Sequence, residues 1–362
     1  MKLIFVVLVF TLLFSITTVF AETADVSLAS KYSPVLYFSQ QEKLFPVSID
    51  YHLDSSVLKK MENFQVKIIE ENPSLENISK ITDPSYYLDH RLNGFEDISA
   101  DYNSKKDRLG YTVYYAIKKD SQYTIIQYWF FYAYNKGKLN EHEGDLEFIE
   151  IVLGSDYKPL YSAYSQHLLG ENINWQDLDK EENNPKVYIA LGSHANYFKP
   201  YQGNLGLEND VVEDNGLVLT QQNYKLINLG DEDWIGFGGR WGDSSKLSFE
   251  AKVERGPSGP GYGERAEAWN SPVQWSEKTL QVNGIWLFGN WIIENFYLIF
   301  ALIVCLAAVS RAYKLKKRGF DIKPFKKLLR QKYAKGLIAV ILGTVIALVA
   351  LVSPLYVVSL SV

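Results

Sequence analysis

The sequence predicts a mainly β protein, a β-sandwich extracytoplasmic domain followed by two transmembrane helices. Three observations carry that expectation. Between residues 111 and 191, short runs of alternating or solidly apolar residues are broken by turn clusters, the pattern of strands joined by tight turns. The chain holds 25 Tyr, 19 Phe and 8 Trp, side chains that bury large areas on a pleated surface while Tyr hydroxyls tolerate a wet edge. Near the end, two long apolar runs flank a strongly basic segment.

Residues 1–21 read as a secretory signal: Lys2, an apolar core over 3–13, and Val19-Phe20-Ala21 as a small-residue cleavage site. The outer domain is expected over 22–285. It opens with a short strand in Lys31-Tyr32-Ser33-Pro34-Val35-Leu36-Tyr37-Phe38, passes through a loop at Phe45-Pro46, and continues into a helix capped by Asp54 or Ser55 and running through Val57, Leu58 and Met61. Residues 72–107 are polar and poorly periodic, so a loop with a small helix or strand is expected there. Alternation over 111–117 and the aromatic, β-branched run 123–134 then predict strands, the second covered on both faces. Further strands are expected over 146–153, 160–165 and 187–191, separated by Gly154-Ser155-Asp156 and Asn183-Asn184-Pro185. The segment Gly256-Pro257-Ser258-Gly259-Pro260-Gly261 reads as an irregular surface connection.

A spanning helix needs ~20 mostly apolar residues. Residues 291–310 and 336–358 meet that need, the first with Trp291 and Glu294 at the interface. Residues 311–335 between them hold eleven Lys or Arg against one acid, Asp321, which makes this loop cytoplasmic by the positive-inside rule. A signal peptide gives the same orientation independently, with the main domain outside and the bilayer as its first partner.

Of the 37 basic residues, Lys2 and the eleven in the loop lie outside 22–310, leaving 25. Of the 42 acidic residues only Asp321 does, leaving 41 and a charge of about −16 on the outer part with His neutral. Such a surface repels phosphate backbones and argues against nucleic acid. The single cysteine, Cys305, falls in the first apolar run, so the outer domain must be held by its core rather than by disulfides.

The chemistry concentrates at Glu141-His142-Glu143-Gly144-Asp145-Leu146-Glu147, where a histidine and several carboxylates crowd a glycine at the start of a strand. Strand alternation puts Asp145 and Glu147 on one face, and the freedom of Gly144 can bring His142 round to it. His167 and His194 each follow another strand-like run. If 160–165 and 187–191 pair antiparallel on the two sides of 145–153, both histidines return to the same edge. Imidazole with carboxylate suits a divalent ion of the Zn, Mn or Fe kind, whereas Ca would use Asp145, Glu147 and carbonyls. The expected metal set is therefore His142, Asp145, Glu147, His167 and His194. Without metal the same groups can act as an acid–base pair, or simply fix turn geometry at a sheet edge.

The ordered motifs resemble the vacuolar protein sorting-associated protein 62 family. They are Tyr32-Ser33-Pro34-Val35-Leu36-Tyr37, Phe45-Pro46, Gln127-Tyr128-Trp129-Phe130-Phe131-Tyr132, His142-Glu143-Gly144-Asp145-Leu146-Glu147, Ser165-Gln166-His167, Ala190-Leu191-Gly192-Ser193-His194-Ala195-Asn196-Tyr197, Gly239-Arg240-Trp241-Gly242 and Gly256-Pro257-Ser258-Gly259-Pro260. Leu146 stands where the family usually has Trp. The basic loop and apolar runs fall outside the resemblance, and the sorting role in the family's name does not carry over. A fainter similarity, through His142, Asp145 and Glu147 alone, is to the necrosis-inducing protein family, whose β-sandwich holds a divalent cation; it implies a cation site and not toxin activity.

Three functions stay open at this point. One is a membrane-anchored domain binding a divalent cation and, through it, a glycan or phosphate-bearing surface ligand. Another is a metal-assisted hydrolase with Glu143 or Glu147 as base. The third is a structural or interaction domain without metal.

Overall fold

The solid apolar run of 123–134 dictates the architecture, because a strand apolar on both sides is stable only at the centre of a covered sheet. The computed structural model describes residues 25–63, 65–137, 141–167, 169–205, 210–243, 256–282, 300 and 317–318. In chain order its strands are β1 (Val35–Tyr37), β2 (Ser56–Glu62), β3 (Gln65–Glu70), β4 (Tyr86–His90), β5 (Tyr111–Asp120), β6 (Tyr123–Lys136), β7 (Glu141–Leu153), β8 (Pro159–Gln166), β9 (Leu169–Asn174), β10 (Lys180–Glu181), β11 (Asn184–Ile189), β12 (Asn196–Tyr197), β13 (Tyr201–Leu205), β14 (Asp210–Val212), β15 (Val218–Leu219), β16 (Tyr224–Asn228) and β17 (Leu280–Val282). The fold is thus mainly β.

Strands β5 to β9 run as an antiparallel meander, extended at one edge by β16 parallel to β5 and at the other by β17 parallel to β9. A second sheet has the order β10-β11-β1-β15 with β12 also on β11, a third the order β3-β2-β4, and β13 and β14 form a ribbon. Tyrosine hydroxyls reach from the large sheet to the second sheet and its approaches: Tyr128 donates to the Ala29 carbonyl at 2.7 Å, Tyr224 to that of Pro34 and Tyr164 to that of Lys186, both at 2.8 Å. On the other face Trp129 stacks on Phe148 at 4.4 Å between centroids, and Phe148 meets Trp275 at 4.6 Å, beneath the short helices Ala266–Asn270 and Pro272–Lys278.

The chain divides into two units, Met1–Leu287 and Phe288–Val362, and the strands among the described residues belong to the first. The expected signal peptide, both expected membrane helices and the basic loop lie outside the described residues, save Phe300, Lys317 and Arg318. Among the described residues no helix is long and apolar enough to cross a membrane.

Four local expectations are corrected. The helix is Ile49–Asp54, capped by the Ser48 side chain, and 56–62 is strand because Val57 and Leu58 pair with Asp89 and Leu88 of β4. The polar stretch contains β4 and the long helix Gly94–Leu109, which buries only Ile98, Ser99 and Tyr102 and so shows no apolar stripe in sequence. Strand β11 does not flank β7, whose second edge is taken by β6; it pairs in parallel with β1. Residues 256–260 are buried, not a surface connection: the Trp241 N–H donates to the Pro257 carbonyl at 2.9 Å.

Candidate functional site

The site begins where β7 begins. β6 and β7 keep one register throughout, Asn135 opposite His142 and Tyr132 opposite Asp145, so no residue is inserted. Gly144 between them has φ 61°, a conformation most side chains avoid. A Cβ there would also lie 1.9 Å from the Trp241 carbonyl oxygen. Glycine thus lets the backbone twist and lets the distant Trp241 backbone press against it, and the twist separates Glu143 from its neighbours. The Glu143 carboxylate accepts from the His90 N–H at 2.9 Å and the Asp243 N–H at 3.3 Å. Burial, offset by these bonds and reinforced by Asp89, pushes its pKa up to about 8. It is a backbone clamp, apart from Asp145, Glu147 and His194, and shares only the lining of a small cavity with His142.

His142 folds back on its own strand, close enough for the Asp145 charge to act on its ring. Its Nδ1 lies 2.7 Å from the Gly144 oxygen and 3.1 Å from that of Glu143. Both are carbonyls, so Nδ1 carries the proton and donates, and the lone pair of the neutral ring resides on Nε2. Burial lowers its pKa against the opposing pull of Asp145, which keeps the ring neutral.

His194 comes from the second sheet, in the turn after β11, with φ 57°. Its ring stacks on Tyr132 at 3.8 Å and 2°. Nδ1 donates to Asp145 Oδ2 at 2.9 Å, while Nε2 faces Glu42 Oε1 at 3.8 Å and has no hydrogen-bond partner. Burial opposes its charge, yet Asp145 and Glu42 together raise its pKa to about 9, so it is an imidazolium at neutral pH. The same partnership holds both carboxylates below their ordinary range despite burial. Glu42 is locked from behind by the backbone N–H groups of Lys43, Leu44 and Gly192 at 2.8 to 2.9 Å.

Glu147 accepts from the Ser165 hydroxyl and faces the Arg265 guanidinium at 3.6 Å. Burial pushes its pKa up to about 7, with Arg265 opposing and Asp145 reinforcing. His167 departs from the expected set. It sits at φ 43°, and its Nε2 meets Asp210 Oδ2 at 2.7 Å. Asp210 also accepts from Ser193 and Tyr197, each at 2.7 Å.

The structure therefore couples Asp145 to His194, Glu147 and His142, adds Glu42 and Arg265, and leaves His167 with Asp210; His142 also lines a small cavity of about 80 Å³ with Glu141, Glu143 and Asp243. Among the described residues no group of three or more His, Cys, Asp or Glu side chains is arranged to hold a metal ion. His142 nevertheless has the form of a ligand, since metal-binding histidines commonly donate their second N–H to a backbone carbonyl. Beside the cluster opens a cavity of about 280 Å³ whose walls include Glu42, Lys43, Phe95, Lys136, Ser193 and Asp210.

Residues 18–256 match the family model described as vacuolar protein sorting-associated protein 62. No curated protein matches the chain. Among solved structures, NLPPya in complex with glucosamine is 12% identical, covering 58% of this chain and 76% of that one with a TM-score of 0.33. Necrosis and Ethylene inducing Protein 2, from the causal agent of cocoa's Witches Broom disease, is 14% identical over 57% and 76%, with a TM-score of 0.31. The non-toxic HaNLP3 protein is 12% identical over 64% and 91%, with a TM-score of 0.30.

Proposed function

The chain belongs to the vacuolar protein sorting-associated protein 62 family, and on that premise we propose that residues 22–285 are an extracytoplasmic β-sandwich held by transmembrane helices over 291–310 and 336–358. Its function is to bind a divalent cation together with a polar surface ligand, a glycan or a phosphate-bearing molecule. The observation that carries the reading is the orientation of His142: Nδ1 is bound to carbonyls at 2.7 and 3.1 Å, which leaves the lone pair of the neutral ring on Nε2, within reach of the Asp145 charge. In residue type His142, Asp145 and Glu147 offer the nitrogen and oxygen donors that Zn, Mn or Fe prefer, with Ca served by the carboxylates, and on this reading binding draws them together. The adjoining cavity, with Ser193 and Asp210 in its wall, supplies room and polar groups for the second ligand.

Hydrolysis is a second reading, favoured by one observation. Burial pushes the Glu147 carboxyl up to about 7, toward the range in which a general base works best. Glu143 has no part in it, being committed to two backbone N–H groups.

Elemental analysis of protein purified without affinity metals, followed by calorimetric titration with Mn²⁺, Zn²⁺ and Ca²⁺, tests the proposal. A stoichiometric ion that a folded His142→Ala variant no longer binds is expected. Absence of binding at millimolar concentrations of all three ions refutes it. Turnover on ester, phosphoester and glycoside panels, lost in Glu147→Gln with the ion retained, identifies a hydrolase in which Glu147 is the base and not a ligand, and separates it from the binding domain.

A further inference from the structure

The border of the three-stranded sheet is exposed in a way the binding reading does not use. β3 (Gln65–Glu70) pairs with β2 on one side, and among the described residues no strand pairs with its other side. Residues 65–69 are exposed on both faces of the strand, and its apolar side chains Val66, Ile68 and Ile69 are 45%, 57% and 45% exposed. An open edge of β-branched residues is a template for pairing with another extended chain, and native proteins blunt it with charge, proline, a bulge or a cover. Here the one charge among 65–69, Lys67, is paired with Glu62 of β2, and there is no proline. The bulge that leaves Ile69 without a partner on β2 does not hide it.

An anchor for a cover stands next to this edge. Asn77-Ile78-Ser79 is the one Asn-Xaa-Ser/Thr sequence of the chain in which Xaa is not Pro, the acceptor of N-linked glycans in exported proteins. Asn72-Pro73-Ser74 is barred by its proline. Asn77 is exposed on the short helix Leu75–Ile78, and its Nδ2 donates to the two carboxylate oxygens of Glu70, the last residue of β3, at 3.0 and 3.2 Å. The helix is fixed in place. Ile78 is fully buried, its carbonyl accepts from the Ile81 N–H at 2.9 Å, and the Ile81 carbonyl accepts from the Gly238 N–H at 2.7 Å. Asn77 thus presents its amide to solvent from a rigid point beside the isoleucine end of the open edge.

We infer that Asn77 is a glycosylation site and that its glycan covers the open edge of β3. In the modification the Asn77 amide nitrogen bonds to C1 of an oligosaccharide carried on a lipid phosphate of the exporting membrane. The bond from C1 to the phosphate oxygen breaks, the lipid phosphate leaves, and a base of the transferase takes one amide proton. The N–H that remains can keep a bond to Glu70, which holds the first sugars beside Ile69 and Ile68. The inference rests on the export of residues 22–285 proposed above and goes beyond it by giving one surface of the exported domain a covalent cover.

The test is expression of the full chain in a eukaryotic secretory host. Protease protection in sealed microsomes reads export, and mass spectrometry of the tryptic peptide 68–80 reads Asn77. Occupancy is expected, seen as an ¹⁸O-labelled Asp after enzymatic deglycosylation in labelled water, and lost in Ser79→Ala. In mild detergent, light scattering is expected to find the glycosylated wild type monodisperse, Asn77→Gln shifted to dimers or larger species at the same concentration, and Asn77→Gln/Ile68→Lys restored. If Asn77→Gln does not fold, enzymatic deglycosylation of the folded wild type gives the same comparison. An exported domain with a bare Asn77 overturns the inference and leaves export standing; a domain that is not exported overturns both. A glycosylated chain whose size distribution is unchanged by removal of the glycan overturns the covering role.

Discussion

Replacing Glu150 by Gln should make the protein relatively more stable as pH rises. Glu150 lies on β7 opposite Gln127 of β6, fully buried. Gln127 Nε2 divides itself between Glu150 Oε2 at 3.2 Å and the Ala268 carbonyl at 2.7 Å, and Glu150 Oε1 has no hydrogen-bond partner. Burial, softened by Gln127 and Ser276, raises the carboxyl from 4.5 to about 8. The folded state therefore keeps a proton that the unfolded chain has lost. Stability from this group is complete below 4.5 and drains as pH climbs to about 8. Each pH unit inside that window is worth ~1.4 kcal/mol. Between pH 5.5 and 8 the wild type loses roughly 3 kcal/mol relative to a variant that cannot ionise, or roughly 6 °C in melting temperature for a unit of this size. Comparing the variant with wild type at both pH values cancels the other titrating groups. The assay is thermal unfolding followed by tryptophan fluorescence. A variant-to-wild-type gap that stays the same at both pH values, within about 1 kcal/mol, refutes the argument from burial.

Two further outcomes follow from the same physics. Gly144→Ala places a Cβ 1.9 Å from the Trp241 oxygen at φ 61°; a loss of roughly 2 to 4 kcal/mol is expected from the clash and backbone strain, and an unchanged urea midpoint contradicts it. His52, fully buried, has no ring nitrogen at hydrogen-bonding geometry, the Leu88 backbone being near enough only to soften the shift, and burial, aided by His90, lowers its pKa from 6.5 to about 3. The unfolded chain takes up that proton first, so stability falls as pH drops below 6.5. Between pH 7.5 and 5, His52→Phe should gain roughly 2 kcal/mol on the wild type, measured by urea unfolding, and equal changes in both proteins exclude the mechanism.

The meander β5 to β9 was legible because long alternating runs and turn residues agree over its whole length. Asp145 and Glu147 were legible for the same reason, two steps apart on one strand. His142 needed the twist at Gly144, which the glycine suggested but whose cause, the Trp241 backbone about a hundred residues away, no local pattern reveals. His194 reaches Asp145 by a route the sequence did not suggest, from the sheet that packs over β7 and not from a strand beside it. Glu42, Asp210 and Arg265 could not be found in advance. Glu42 lies in the polar stretch Ser39-Gln40-Gln41-Glu42-Lys43, and Arg265 follows an irregular segment; no periodicity betrays that the first is buried and the second half-buried. The helix Gly94–Leu109 was missed because three buried residues in sixteen leave almost no stripe to read.

The parallel strands that close the large sheet carry a consequence for synthesis. The meander is complete once residue 174 exists, but its edges are capped by β16 (Tyr224–Asn228) and β17 (Leu280–Val282), both made later. For about a hundred residues of translation, the most aromatic surface of the chain has two open borders able to pair with any extended peptide. Nascent chains ending between 174 and 280 should be the ones that need a holding chaperone, and completion of β17 should release that need.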